Sequence, residues 1–195
     1  MQTLKQIYDS VFVNSLTPLE FSDGWRAYTD KNLVHRYVDN LYEDLFKDIR
    51  FSTKKVLEIG IYGGGSMLLW QKYFENATIY GIDKLFCIKE FIEQERMVQI
   101  IGDAYSDDIA NILPSNEFDI VIDDGPHTVE SFKLFIEKYW SKVKPGGYFI
   151  IEDIYDNVAQ ELIGLLPKEY QNRAKIYDFR LMTNLFDDVI LVVKK

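Results

Sequence analysis

The sequence predicts an α/β domain built on a doubly wound, mostly parallel sheet, with a helical segment in front of it. Three observations carry this prediction. Five short apolar runs in the middle of the chain are mostly apolar at consecutive positions, as parallel strands covered on both faces require. Segments of helical period separate them, and helix crossovers between successive strands wind such a sheet in both directions. A glycine-rich turn follows the first run, at the end of the strand where a doubly wound sheet opens its ligand crevice.

Before residue 54, Met1–Val13 and Trp25–Arg50 carry apolar residues at helical spacing, with Leu33, Tyr37, Leu41, Leu45 and Phe46 as one stripe. The strand runs are Lys55–Gly60, Thr78–Asp83, Met97–Ile101, Phe118–Asp123 and Tyr148–Glu152. Helical patterns fall between them near residues 66–75, 87–94, 105–113 and 129–142. The tail differs, because Ala174–Phe179 and Val189–Lys194 read as strands without a convincing helix between them. An antiparallel pair at one sheet edge is therefore permitted. No repeat, low-complexity stretch or Pro/Gly-rich linker interrupts the chain. The expectation is one domain over residues 1–195, with 1–53 as a helical lid or preface and 54–195 as the sheet core.

A chain of 195 residues buries roughly 70% of its unfolded surface and needs no disulfide or structural metal to hold a core. Its single cysteine, Cys87, excludes an intrachain disulfide and any multi-cysteine metal site, and agrees with a reducing compartment. The net charge of −9 argues against a nucleic-acid backbone or an anionic membrane as the main partner. No apolar run approaches the roughly 20 residues of a membrane span, and Met1–Ser10 has no signal-peptide core. These features predict a soluble cytoplasmic protein without membrane insertion, and leave a homo-oligomer open.

The turn Glu58-Ile-Gly60-Ile-Tyr-Gly63-Gly-Gly-Ser66 links the first strand to the first helix. Glycine there lets the backbone turn sharply and approach a ligand closely. Asp83 ends the second strand, where a carboxylate can hold both hydroxyls of a ribose, and Asp103 follows the third, where it can meet an adenine edge. Helix capping explains each aspartate alone. An acidic residue at three successive strand ends favours a nucleoside site. The dinucleotide fingerprint fails, because the third and sixth positions counted from Gly60 are Tyr62 and Gly65.

A second constellation lies further on. Asp123-Asp124-Gly125-Pro126-His127 ends the fourth strand and Glu152-Asp153 ends the fifth. Those strands are neighbours in a sheet of this kind, about 4.8 Å apart, so up to four carboxylates converge at one edge of the pocket. That arrangement calls for a cation or for protons. All-oxygen ligation suits a hard ion such as Mg²⁺.

Gly60-x-x-Gly63 after an acidic strand residue resembles the first motif of class I S-adenosylmethionine (SAM)-dependent methyltransferases, a resemblance that runs from about Lys54 to Lys195. It implies a Rossmann-like seven-stranded sheet in the order 3-2-1-4-5-7-6 with the last strand antiparallel. It also implies SAM as cofactor, with Glu58, Gly60 and Gly63 near its methionine part, Asp83 at the ribose and Asp103 at the adenine. Ser66, Asp123 and Lys31 complete the cofactor-binding set. Asp-Asp-Gly-x-His together with Ile-Glu-Asp is similar to the metal-dependent sugar O-methyltransferases of macrolide biosynthesis, the macrocin and mycinamicin type, whose small relatives decorate bacterial surface polysaccharides. By that resemblance Asp124, Glu152 and Asp153 match the ligands of Mg²⁺ (or Mn²⁺), His127 matches the general base, and Asp124 takes part in catalysis. Tyr28-Thr-Asp-Lys31, His35-Arg-Tyr37 and Tyr42 resemble the family's N-terminal signature, which covers the SAM and acceptor pocket. The expected acceptor is a sugar or a sugar-containing small molecule.

Three alternatives stand beside this reading. A metal-dependent methyltransferase of a catechol-like or other small diol would use the same carboxylates. A nucleotide-sugar dehydrogenase or epimerase is disfavoured by the failed fingerprint, and a non-catalytic SAM-binding protein by the intact carboxylate and histidine cluster. Elsewhere, Cys87 is expected half-buried in a helix, Trp25, Trp70 and Trp140 in the core, and Asn184 and Asp187-Asp188 in a turn.

Overall fold

Seven strands form where the apolar runs are, and the central ones alternate their side chains between two covered faces while the edge strands Met97–Ile101 and Ala174–Asp178 stay partly exposed. The computed structural model describes residues 2–13, 29–85, 95–155 and 158–195. The strands are β1 Lys55–Ile59, β2 Thr78–Asp83, β3 Met97–Ile101, β4 Phe118–Asp123, β5 Val143–Ile151, β6 Ala174–Asp178 and β7 Val189–Lys194. They lie in one sheet in the order β3-β2-β1-β4-β5-β7-β6. Strands β1 to β5 are parallel, and β7 runs antiparallel to both β5 and β6. The order and the antiparallel last strand are those implied by the methyltransferase resemblance.

Each face of the sheet has its own core. Val56, Ile120, Ile122, Ile150, Ile190 and Val192 pack on one side, with the N-terminal segment and the helix Gly65–Tyr73. Leu57, Val121, Phe149, Ile151, Leu191 and Val193 pack on the other, with the helices Asp107–Asn111, Val129–Tyr139 and Val158–Leu165. This is the period of two that makes a strand buried on both faces read as a continuous apolar run. Trp70 is fully buried and Trp140 partly so, whereas Cys87, Trp25, Tyr28 and the helical pattern at 87–94 lie outside the described residues.

The N-terminal segment is less regular than its periodicity predicts. The helix Leu4–Tyr8 runs on into a wider turn of helix at Asp9–Val13, and a second such turn at Val38–Tyr42 leads into Glu43–Phe46. The stripe begins at Tyr37 rather than Leu33, which is 67% exposed. Arg36 adopts φ +62°, in the left-handed region, and reverses the chain before the helix starts. Three short helices escaped the periodicity altogether: Val158–Leu165, Lys168–Gln171 and Arg180–Thr183, the last joining β6 to β7. Among the described residues no helix is long and apolar enough to cross a membrane.

Candidate active site

Three neighbouring strands end side by side, and the residue after each is one that the sequence singles out as a candidate. Gly60 donates its N–H to the carbonyl of Ile82 (3.0 Å), Asp124 to that of Ile59 (2.9 Å) and Glu152 to that of Asp123 (3.0 Å). The ends of β1, β4 and β5 are thereby locked in register. Gly60 has φ +87°, and an added Cβ would lie 1.8 Å from the carbonyl oxygen of Asp124. Only glycine fits between these two strand ends. Gly60→Ala is therefore expected to cost about 4 kcal/mol or more, in the upper tail of point-mutant effects, and to abolish S-adenosylhomocysteine binding in calorimetry.

Two cavities meet at this junction. The first, about 450 Å³, lies over the carboxyl ends of β1, β2 and β3 and is lined by Gly60, Tyr62, Asp83, Asp103 and Tyr105 among others. Asp83 organises the glycine loop, accepting from the amides of Ile61 (2.8 Å) and Tyr62 (3.0 Å). Asp103 sits at the rim, paired with Lys84 at 3.0 Å, a contact that lowers its pKa. The second cavity, also about 450 Å³, is lined by Thr29, Asp30, Ser66, Asp124, His127 and Asp153 among others. Gly60, Tyr62, Asp124 and Gly125 belong to both walls.

The adjacent aspartates diverge, as successive strand positions must. Asp123 turns to the face covered by the helices Asp107–Asn111 and Val129–Tyr139, where the Tyr105 hydroxyl donates to its Oδ1 (2.6 Å) and its Oδ2 has no hydrogen-bond partner. Burial pushes its pKa up to about 7. Asp124 turns the other way and joins Glu58 and Glu152 around one cation. The Lys31 Nζ lies 2.7 Å from Asp124 Oδ2, 2.5 Å from Glu152 Oε2 and 3.1 Å from Glu58 Oε1. Lys31 is only 1% exposed. Burial opposes its charge, but the three carboxylates outweigh burial and hold its pKa well above the ordinary value. The other oxygen of Glu152 accepts from the Tyr42 hydroxyl, and the Trp70 indole donates to Glu58 Oε2 (3.1 Å).

His127 and Asp153 close the open side. His127 Nε2 is 3.3 Å from Asp124 Oδ1 and 3.6 Å from Asp153 Oδ2. Asp124, His127 and Asp153 each offer a ligand atom, all within 4.8 Å of one another. Both His127 and Asp153 have φ +54°, a conformation that costs a non-glycine residue about 1–3 kcal/mol and collects at functional sites. Behind them, the Tyr37 hydroxyl donates to Asp153 Oδ1 (2.5 Å), and His35 bonds Asp188 (2.5 Å). Burial opposes charge on His127, yet its hydrogen bond to Asp124 and the charge of Asp153 raise its pKa to about 9. Burial raises Glu152 to about 8, against the pull of Lys31, and Asp153 to about 6.

The sequence-predicted residues thus divide. Gly60, Ser66, Asp83, Asp103, Asp124, His127 and Asp153 line one cavity or both. Glu58, Lys31 and Glu152 form a buried ion cluster behind the second cavity, and Gly63 is buried in the loop. Asp123 departs from the expected convergence of four carboxylates. Asp188, expected in a turn, follows the bend at 186–187 and is fully buried against His35 and Tyr37. Tyr62, Tyr105, Lys84 and Leu85 line the first cavity without having been singled out. No spacing in the sequence marks Asp188 or Tyr105, since each reaches the site only through the fold.

Comparison with known proteins agrees with this geometry. A methyltransferase-domain family model matches residues 57–154, just over half of the chain. The chain is 34% identical over 152 residues to the demethylmacrocin O-methyltransferase of Streptomyces fradiae, covering 73% of the chain and 36% of that protein. It is 32% identical over 140 residues to the mycinamicin VI 2''-O-methyltransferase of Micromonospora griseorubida, covering 67% and 34%. The crystal structure of the MycE methyltransferase of the mycinamycin pathway, in complex with Mg, SAH and mycinamycin VI, superposes with a TM-score of 0.62 at 26% identity. That match covers 86% of this chain and 50% of the other. The chain spans about a third of the length of these curated relatives and half of the crystallised one. By the family match and by a fold and glycine loop that agree with it, the chain belongs to the methyltransferase-domain family.

Proposed function

We propose that the protein is a SAM-dependent, divalent-cation-dependent O-methyltransferase that transfers a methyl group to a hydroxyl of a sugar or sugar-containing acceptor. The observation that carries this reading is the shared wall. Asp124 faces a nucleoside-sized cavity on one side and, on the other, a polar cavity that also presents His127 and Asp153. The relatives' activities, 2''-O-methylation of mycinamicin VI among them, support the sugar acceptor.

The residues fit both cofactors. The first cavity lies outside the carboxyl ends of the strands, where such sheets take nucleotides, and its base accepts no side chain at Gly60. In this reading Gly60, Ser66, Asp83 and Asp103 hold SAM, which supplies a methyl group already activated on sulfur. For the cation, Asp124 and Glu152 already converge on one positive charge, the Lys31 ammonium, which stands in for an ion. Asp153 completes a set of hard oxygen donors suited to Mg²⁺ or Mn²⁺. Held by these residues, such an ion would supply a charge that makes an acceptor hydroxyl more acidic.

The chain's own groups do the rest. His127, at the mouth of the second cavity, takes the proton from the attacking hydroxyl as general base in its neutral form, which a cation on Asp124 and Asp153 would favour by offsetting the two charges that hold the proton on the ring. The His35, Tyr37 and Asp188 network holds Asp153 in its left-handed turn, and the shared wall would bring an acceptor hydroxyl close to the donor. Residues 1–53 act as a preface in one domain with residues 54–195, and its described parts, 2–13 and 29–53, pack on the sheet beside the site. The test is S-adenosylhomocysteine release from SAM with a panel of glycosides bearing adjacent free hydroxyls. Turnover is expected with MgCl₂ or MnCl₂ and is expected to vanish in excess EDTA. Undiminished turnover in EDTA removes the cation from the reaction.

A further inference from the structure

Lys31 occupies the point where the proposed ion needs its ligands. Its Nζ bridges Asp124 Oδ2 and Glu152 Oε2, and the remaining Glu152 oxygen accepts from Tyr42. Each Glu152 oxygen therefore already holds a partner, and an ion at this point would have to share that oxygen or take the partner's place. Asp124 keeps only its Oδ1, which faces His127 at 3.3 Å. A divalent ion sharing these carboxylates with the ammonium would lie a few ångströms from a like charge, and burial makes that repulsion strong.

We infer that the Lys31 ammonium is a built-in occupant of the cation site, which holds Asp124 and Glu152 in the metal-free protein and is displaced when a divalent ion binds. This rests on the proposed cation dependence and adds what that reading does not contain: an internal competitor that sets the ion's affinity. The backbone is suited to the exchange. The Lys31 carbonyl is pinned by the amides of Tyr37 (2.7 Å) and Val38 (3.2 Å), so the main chain stays while the side chain moves. Lysine suits the role chemically, being a compact charge on a flexible stem, whereas the planar fork of arginine would hold a carboxylate in a fixed paired geometry. Without a cation of either kind, three carboxylates would face one another with no counter-charge, which explains why a lysine is buried here.

Two measurements on the whole protein test the inference, both with MnCl₂ as probe. In calorimetry, Lys31→Met is expected to bind Mn²⁺ at least about tenfold tighter than wild type, because a competing charge has been removed. A residue that merely braces the ligands would change affinity in the opposite sense. In the second measurement, which needs no substitution, the wild-type protein is acetylated with acetic anhydride and mapped by mass spectrometry. Lys31 is expected to be protected in EDTA and labelled at saturating Mn²⁺, with labelling of the exposed Lys84 unchanged. If wild type binds Mn²⁺ while Lys31 stays protected, or Lys31→Met binds no tighter, displacement is overturned and the cation reading stands, with the ion beside the ammonium. If neither protein binds Mn²⁺, the inference falls together with the cation reading.

Discussion

Asp124→Asn is expected to slow methyl transfer by about a thousandfold at saturating Mg²⁺, the rate equivalent of about 4 kcal/mol, while S-adenosylhomocysteine binding stays within about threefold of wild type. The expectation follows from what this one carboxylate touches. Its Oδ2 meets Lys31 and its Oδ1 meets His127, and it belongs to the walls of both cavities. Asparagine keeps the shape and the backbone bond to Ile59 but removes the charge that faces Lys31 and His127 and that the proposed ion needs. The donor cavity is walled mainly by other residues and should persist. Steady-state rates with S-adenosylhomocysteine calorimetry make the check. A rate within tenfold of wild type would show that Asp124 neither holds the ion nor orients the base.

His127→Ala is expected to lower kcat by about 10²–10⁴, the usual contribution of a positioned acid or base, with little change in Mn²⁺ affinity. Pairing the two readouts is necessary because Nε2 lies close enough to Asp124 and Asp153 to be read as a third ligand. A base that is lost costs rate, whereas a ligand that is lost costs affinity. The ring's placement depends on a backbone turn at φ +54° after Gly125-Pro126, which folds the side chain back over the strand end. A joint fall in kcat and in Mn²⁺ affinity would make His127 a ligand and leave the proton to another group.

Much of this site was legible before any coordinates. Gly60, Asp83, Asp124 and Glu152 are at or just after the carboxyl ends of β1, β2, β4 and β5, and a parallel sheet must bring such ends together along one edge. The apolar runs mark the strands and so mark their ends. The helices were less legible where they are short. Arg180–Thr183 is a single turn, too brief for a period of 3.6 residues to show, and the stripe drawn through Leu33 ignored the reversal at Arg36, which no propensity announces.

The amino-acid order carried the fold class, the strand order through its family resemblance, the glycine loop and the strand-end acids, because all of these are local patterns repeated along the chain. It did not show that Asp123 and Asp124 part company across the sheet, with Asp123 taken by Tyr105 and Asp124 by Lys31. Nor did it show that Lys31 lies against Glu152, 121 positions away, or that Asp188 stands behind His35, 153 positions away. Buried charges choose partners by distance in space, since desolvation makes an unpaired charge costly wherever the chain happens to deliver a counter-charge. Only the packed preface and the closed sheet edge decide which ones meet.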